Sequence, residues 1–124
     1  IAPDCDAHDM GDSAPESTFG YIADAMRERN IAFIFARGGL GDNQISAKLK
    51  ARFTGAFIAN QQLEQKAAER LLQDGVADAC AWGQQFIANP DLVHRVAEGL
   101  PLNDIDSDTF YGGGSKGYTD YPVA

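Results

Sequence analysis

The chain has 124 residues, 18 acidic against 10 basic for a formal net charge of −8, and 44% of its residues are hydrophobic. That length suits one ordinary domain with one core, and the negative charge repels phosphate backbones and anionic surfaces, which argues against nucleic acid or membrane as a partner. The apolar runs are too short to span a bilayer, and Ile1-Ala-Pro-Asp-Cys-Asp lacks the basic start and apolar core of a signal peptide, so the expectation is a cytoplasmic protein with Cys5 and Cys80 as reduced thiols.

Residues 1–14 carry Asp4, Asp6, Asp9 and Asp12 with His8 and read as a solvated acidic loop. Their spacing fits no defined zinc or calcium loop, so no metal site is assigned. Phe19, Ile22, Ala23 and Met26 recur at helical spacing and Pro15 suits a first turn, which predicts a helix over 15–29. Ile31-Ala-Phe-Ile-Phe-Ala36 is continuously apolar, as expected of a strand covered on both faces, and Arg37-Gly-Gly-Leu-Gly41 breaks it. Those glycines lack the following Lys-Ser/Thr of a phosphate loop, so no nucleotide site is read there.

A second helix starts at Asp42 or Asn43, carries Ile45, Leu49 and Phe53, and stops at Gly55 before a second apolar strand, Ala56–Ala59. Leu63, Ala67, Ala68, Leu71 and Leu72 form the stripe of a third helix ended by Asp74-Gly75. A third strand follows over Ala77–Trp82, with Cys80 and Trp82 read as core. Asn89-Pro-Asp then reads as cap, first position and dipole partner of a last helix that ends at Gly99 and exposes His94. From Pro101 the chain turns Asp-, Gly- and Tyr-rich, which predicts irregular structure. Strands alternating with helices over short connections demand a parallel α/β sheet with right-handed crossovers. The expected organisation is one partial domain: the acidic loop, α/β repeats over 15–100, and a tail over 101–124.

Two segments go further. Ala77-Asp-Ala-Cys-Ala-Trp-Gly-Gln-Gln-Phe-Ile-Ala-Asn-Pro-Asp-Leu92 and Phe110-Tyr-Gly-Gly-Gly-Ser-Lys-Gly-Tyr-Thr-Asp-Tyr-Pro122 resemble the C-terminal end of the Old Yellow Enzyme family. That resemblance implies part of a (β/α)8 barrel, a fold of typically about 250 residues. Ile1-Ala-Pro3 would be the end of the family's fifth strand, and the three strands above would be its sixth to eighth.

It also implies FMN as cofactor and NAD(P)H as reductant of an oxidoreductase acting on activated alkenes or nitro compounds. The flavin phosphate would lie on the backbone amides of Ala59 and Asn60 after one strand and of Gly83 and Gln84 after the next. Tyr111 matches a tyrosine that lines the substrate pocket, while the family's catalytic residues match no position here.

Two departures stand out. Asn60-Gln61-Gln62 replaces a loop the family keeps rich in glycine or alanine, and Gln84 stands where the family usually has an arginine that pairs with phosphate. The resemblance therefore implies a weakened or lost FMN site, with the missing N-terminal barrel half or self-association covering the sheet's open edges. The alternative is a truncated half-barrel without catalysis, kept as a binding or assembly module.

Overall fold

The computed structural model describes residues 1–3, 11–38, 45–61 and 63–124. Most of the acidic loop, Cys5 included, and the expected start of the second helix lie outside them. The described residues gather into two compact units, 1–81 and 82–124, so the tail shares a unit with the last helices.

The first unit opens with helix α1, Pro15–Glu28, with Pro15 in its first turn. Strand β1, Phe33–Arg37, follows, then α2, Ile45–Phe53, and β2, Ala56–Asn60. Helix α3 spans Gln65–Gln73, and β3, Ala79–Ala81, closes the unit. The strands form one parallel sheet in the order β1-β2-β3, the arrangement expected from the alternation. Ile1 lies beside β1: its N–H donates to Phe35 O at 2.8 Å and its carbonyl accepts from Arg37 N at 2.8 Å. That pair of bonds is the pattern of a neighbouring parallel strand.

Burial alternates along the strands. Ile34 and Ala36 of β1 and Phe57 and Ala59 of β2 are buried, as are Leu49 and Phe53 of α2 and Ala23 of α1. Phe33 and Phe35 remain 51% and 41% exposed, so β1 is covered on one face only and not on both as its apolar run suggested. The physical reason is the period of two: one set of side chains meets the core, and the opposite set meets no second layer within this unit.

Helices α1 and α2 are joined by ion pairs of Arg52 with Asp24 and of Lys48 with Glu16, the latter at 2.7 Å, and by Arg27 Nη1 donating to Arg52 O at 2.6 Å. Leu72, assigned to the core stripe of α3, is 44% exposed instead, because the helix buries Ala68 while Leu63 is buried ahead of its first turn. Helix α2 is ended by Thr54, which takes the left-handed conformation at φ 61°, and not by Gly55. Gly55 serves a different need: a Cβ there would sit 2.6 Å from Cε1 of the buried Phe53 ring.

Strand β3 is shorter than the sequence suggested and leaves out Trp82; Cys80 and Trp82, expected in the core, are each half-buried, with Cys80 carrying a free thiol. Asp78 extends the pairing by other means. Its N–H donates to Phe57 O at 2.8 Å, and its carboxylate accepts from Phe57 N at 2.7 Å and pairs with Lys50 at 2.5 Å.

The second unit holds the short helix α4, Gln84–Ala88, which the sequence did not reveal, and α5, Leu92–Glu98, ended by Gly99 at φ 64°. Asn89 does not cap the last helix as expected. Its amide donates to Gln85 O at 2.9 Å and its Oδ1 accepts from Asn103 N at 2.7 Å, so it is buried as a link between α4 and the tail. Arg95, only 5% exposed, completes that link. It bonds Asp91 at 2.7 Å, Pro101 O at 2.6 Å and Pro122 O at 2.9 Å. The tail is otherwise irregular, as anticipated, with one 3-10 turn at Ser107–Thr109.

Candidate functional site

In a parallel α/β sheet ligands gather at the carboxyl ends of the strands, where loops leave free backbone and side-chain donors. Here the last rung of the sheet aligns Arg37, Asn60 and Ala81 across β1, β2 and β3. The sequence prepares this rung by ending each apolar strand body on a polar or small residue. Beneath it, on the same face by strand parity, lie Phe33, Phe35 and Ile58.

Asn60 Nδ2 donates to Ala81 O at 2.6 Å, so the side chain runs sideways along the sheet and sews its two last strands together. Ala59, one residue earlier, is buried on the helix-covered face and leaves only backbone to the carboxyl end. Gly38 N donates to Asn60 O at 3.3 Å, tying the exit of β1 to the same rung.

Gln61 follows at φ 105°, a backbone state that favours glycine. The loop thus keeps a glycine-like backbone under a residue with a side chain. That side chain is drawn off to one side, its Oε1 accepting from Arg37 Nε at 2.6 Å. Gln62 lies outside the described residues. The side-chain polar groups of Asn60 and Gln61 are thus engaged by Ala81 O and Arg37 Nε respectively.

Gly83 and Gln84 belong to the second unit. Gly83 precedes α4 with open space where a Cβ would point, and Gln84 is the exposed first residue of that helix. Tyr111, in the same unit, is 75% exposed at φ 60°, with the Phe110 ring edge-on at 5.9 Å. The structure thus brings Asn60 together with Arg37 and Gln61 at the end of one sheet, and places Gly83 beside Gln84 at one helix start. Arg37 and the backbone state of Gln61 were missed by the sequence reading. The signal for the first was a cation directly after an apolar strand.

The charged groups near the strands have structural partners. A hydrogen bond from Lys50 and the N–H of Phe57 hold the Asp78 carboxyl below its ordinary range, and burial pushes the Cys80 thiol up. The Ala124 N–H, then Arg95, lower Asp91. Among the described residues no cluster of His, Cys, Asp and Glu could hold a metal ion, and no helix is long and apolar enough to cross a membrane.

No protein-family model matches the chain. Individual proteins do. A Leishmania infantum protein named a probable flavin mononucleotide-dependent alkene reductase is 36% identical over 98% of this chain and 34% of its own length. The rice 12-oxophytodienoate reductase 1 is 36% identical over 83% of this chain and 27% of its own length.

Among solved structures, the old yellow enzyme of Trypanosoma cruzi superposes with a TM-score of 0.89 at 32% identity, over 99% of this chain and 34% of that one. Morphinone reductase superposes with a TM-score of 0.89 at 34% identity, over 99% and 35%. The chain spans about a third of the length of the relatives it matches. Its three parallel strands and their helices match the corresponding part of those (β/α)8 barrels. The chain matches the C-terminal part of FMN-dependent oxidoreductases of the Old Yellow Enzyme type.

Proposed function

We propose that this chain supplies the phosphate end of the FMN site of an Old Yellow Enzyme-type oxidoreductase. The observation that carries the reading is Gln61 at φ 105° directly after β2, with its side chain held aside by Arg37. A non-glycine residue in that state costs on the order of 1–3 kcal/mol and persists where a backbone shape is required. A loop that must bring backbone amides close to a phosphate has such a requirement.

Ala59 and Asn60 in one unit, and Gly83 and Gln84 in the other, act through backbone N–H groups. Gln84 offers a neutral amide in place of a charged fork. That substitution weakens the hold on phosphate by about 1.5–3 kcal/mol, roughly ten- to a hundredfold in affinity, relative to an arginine there. Tyr111 lines the substrate side. FMN, when bound, supplies hydride transfer from NAD(P)H to an activated alkene or a nitro compound. The part of the site that binds and protonates substrate comes from the remaining two thirds of the relatives' length, on this polypeptide or another, in the cytoplasm.

A second reading rests on the exposed Phe33 and Phe35. Such an apolar face asks for cover, and a half-barrel kept as a binding or assembly module would find it by self-association. Intact-mass measurement with a visible spectrum of the purified protein separates the two. Flavin absorbance near one per chain supports the oxidoreductase, whereas a mass equal to this chain with no flavin favours the module.

A further inference from the structure

The terminal nitrogens of the Arg37 guanidinium are not engaged by the fold among the described residues. The salt bridges among the described residues engage Arg27, Lys48, Lys50, Arg52 and Arg95, and none engages Arg37. Its Nε is spent on Gln61, while neither terminal nitrogen has a hydrogen-bond partner among the described residues. The side chain is exposed, in a chain of net charge −8 that has acidic groups to spare.

A guanidinium held by one edge has lost part of its rotamer freedom in advance. It presents its other two N–H pairs as a fork suited to a planar or tetrahedral oxyanion. Gln61 does two things at once here: its backbone adopts the glycine-like turn, and its carbonyl oxygen grips the cation beside that turn. A cation, an adjacent turned backbone and the carboxyl end of a parallel sheet form an anion-recognising set within the first unit.

We propose that Arg37, positioned by Gln61, is a cation that binds a phosphate monoester at this end of the sheet. This rests on the FMN reading and names a charged group within it. The role belongs to β1 and not to the start of α4, so it predicts a phosphate preference that survives without any arginine at position 84.

The test is an NMR titration of the full chain with FMN, riboflavin and inorganic phosphate, following the arginine Nε–Hε signals. Arg37→Gln, Arg37→Lys and, as a control for net charge, Arg70→Gln are run alongside. FMN and inorganic phosphate are expected to move the Arg37 signal and riboflavin to leave it. Arg37→Gln lowers FMN affinity about ten- to a hundredfold, to the level of riboflavin. Arg37→Lys falls between, because it keeps the charge and loses the fork, and Arg70→Gln matches the parent.

A folded Arg37→Gln chain that still prefers FMN over riboflavin as the parent does overturns the proposal and leaves the FMN reading intact. Inorganic phosphate moving Arg37 in a chain that does not prefer FMN keeps the anion site and removes the flavin from it. No response to FMN or to phosphate overturns both.

Discussion

Asn60 and Ala81 are joined twice, once as partners in the parallel register of β2 and β3 and once by the Asn60 amide donating to the Ala81 carbonyl at 2.6 Å. The second bond closes the sheet where its backbone ladder runs out, and it fixes the height at which the next loop leaves. Asn60→Ala should therefore destabilise the fold by about 0.5–1.5 kcal/mol, the net worth of one such bond. Asn60→Asp should cost more, since a carboxylate would face a carbonyl oxygen. Urea unfolding of the parent and both variants checks the order.

Gly55 is a steric requirement. The Phe53 ring lies 2.6 Å from where a Cβ would stand and is itself buried at 2% exposure, so neither group can step aside. Gly55→Ala should lower stability by about 1–3 kcal/mol, the scale of overpacking. Phe53→Leu in the same background should recover part of that loss, which thermal unfolding of the single and double variants would reveal.

What could be read in the sequence divides along the same line between local and distant causes. Pro15, Gly75 and Gly99 mark element ends because the constraint lies in each residue's own backbone, and the structure places them there. Asn89 looked like a helix cap by the same local rule, but Asn103, far along the chain, uses its side chain instead. Thr54, not Gly55, takes the left-handed turn that ends α2, while Gly55 is required by the position of the Phe53 ring, which no local pattern carries. At the site, Ala59, Asn60, Gly83 and Gln84 came from resemblance. Arg37 and Gln61 emerged only once β1 and β2 were paired, because their contact joins residues 24 apart.

Arg95 anchors the second unit through Asp91 and two carbonyls, Pro101 O and Pro122 O. Arg95→Lys keeps charge but cannot reach three acceptors at once. It should cost roughly 1.5–3 kcal/mol, the scale of one charged hydrogen bond, and Arg95→Ala should cost more. Hydrogen exchange should show the loss as faster exchange at Asn103 and Ala124, whose N–H groups bond Asn89 and Asp91.

Stability should fall on acidification. Asp24, Asp78 and Asp91 are all held below the ordinary carboxylate range, by Arg52, by Lys50 and by the Ala124 N–H respectively. A depressed folded value means the unfolded chain takes up protons first, so the contribution is full above the unfolded value of about 3.9 and is lost as pH falls through the folded values. Unfolding midpoints measured from pH 7 down to pH 3 should drop most steeply below about pH 4. Asp78→Asn should flatten that drop.

Whether this chain recognises the phosphate of a flavin is measured most directly by a fluorescence titration with FMN against riboflavin for the parent and for Gln84→Arg. The parent should bind FMN more tightly than riboflavin, and Gln84→Arg should widen that gap by about ten- to a hundredfold by restoring a charged fork. Equal binding of the two flavins by both proteins would contradict phosphate recognition.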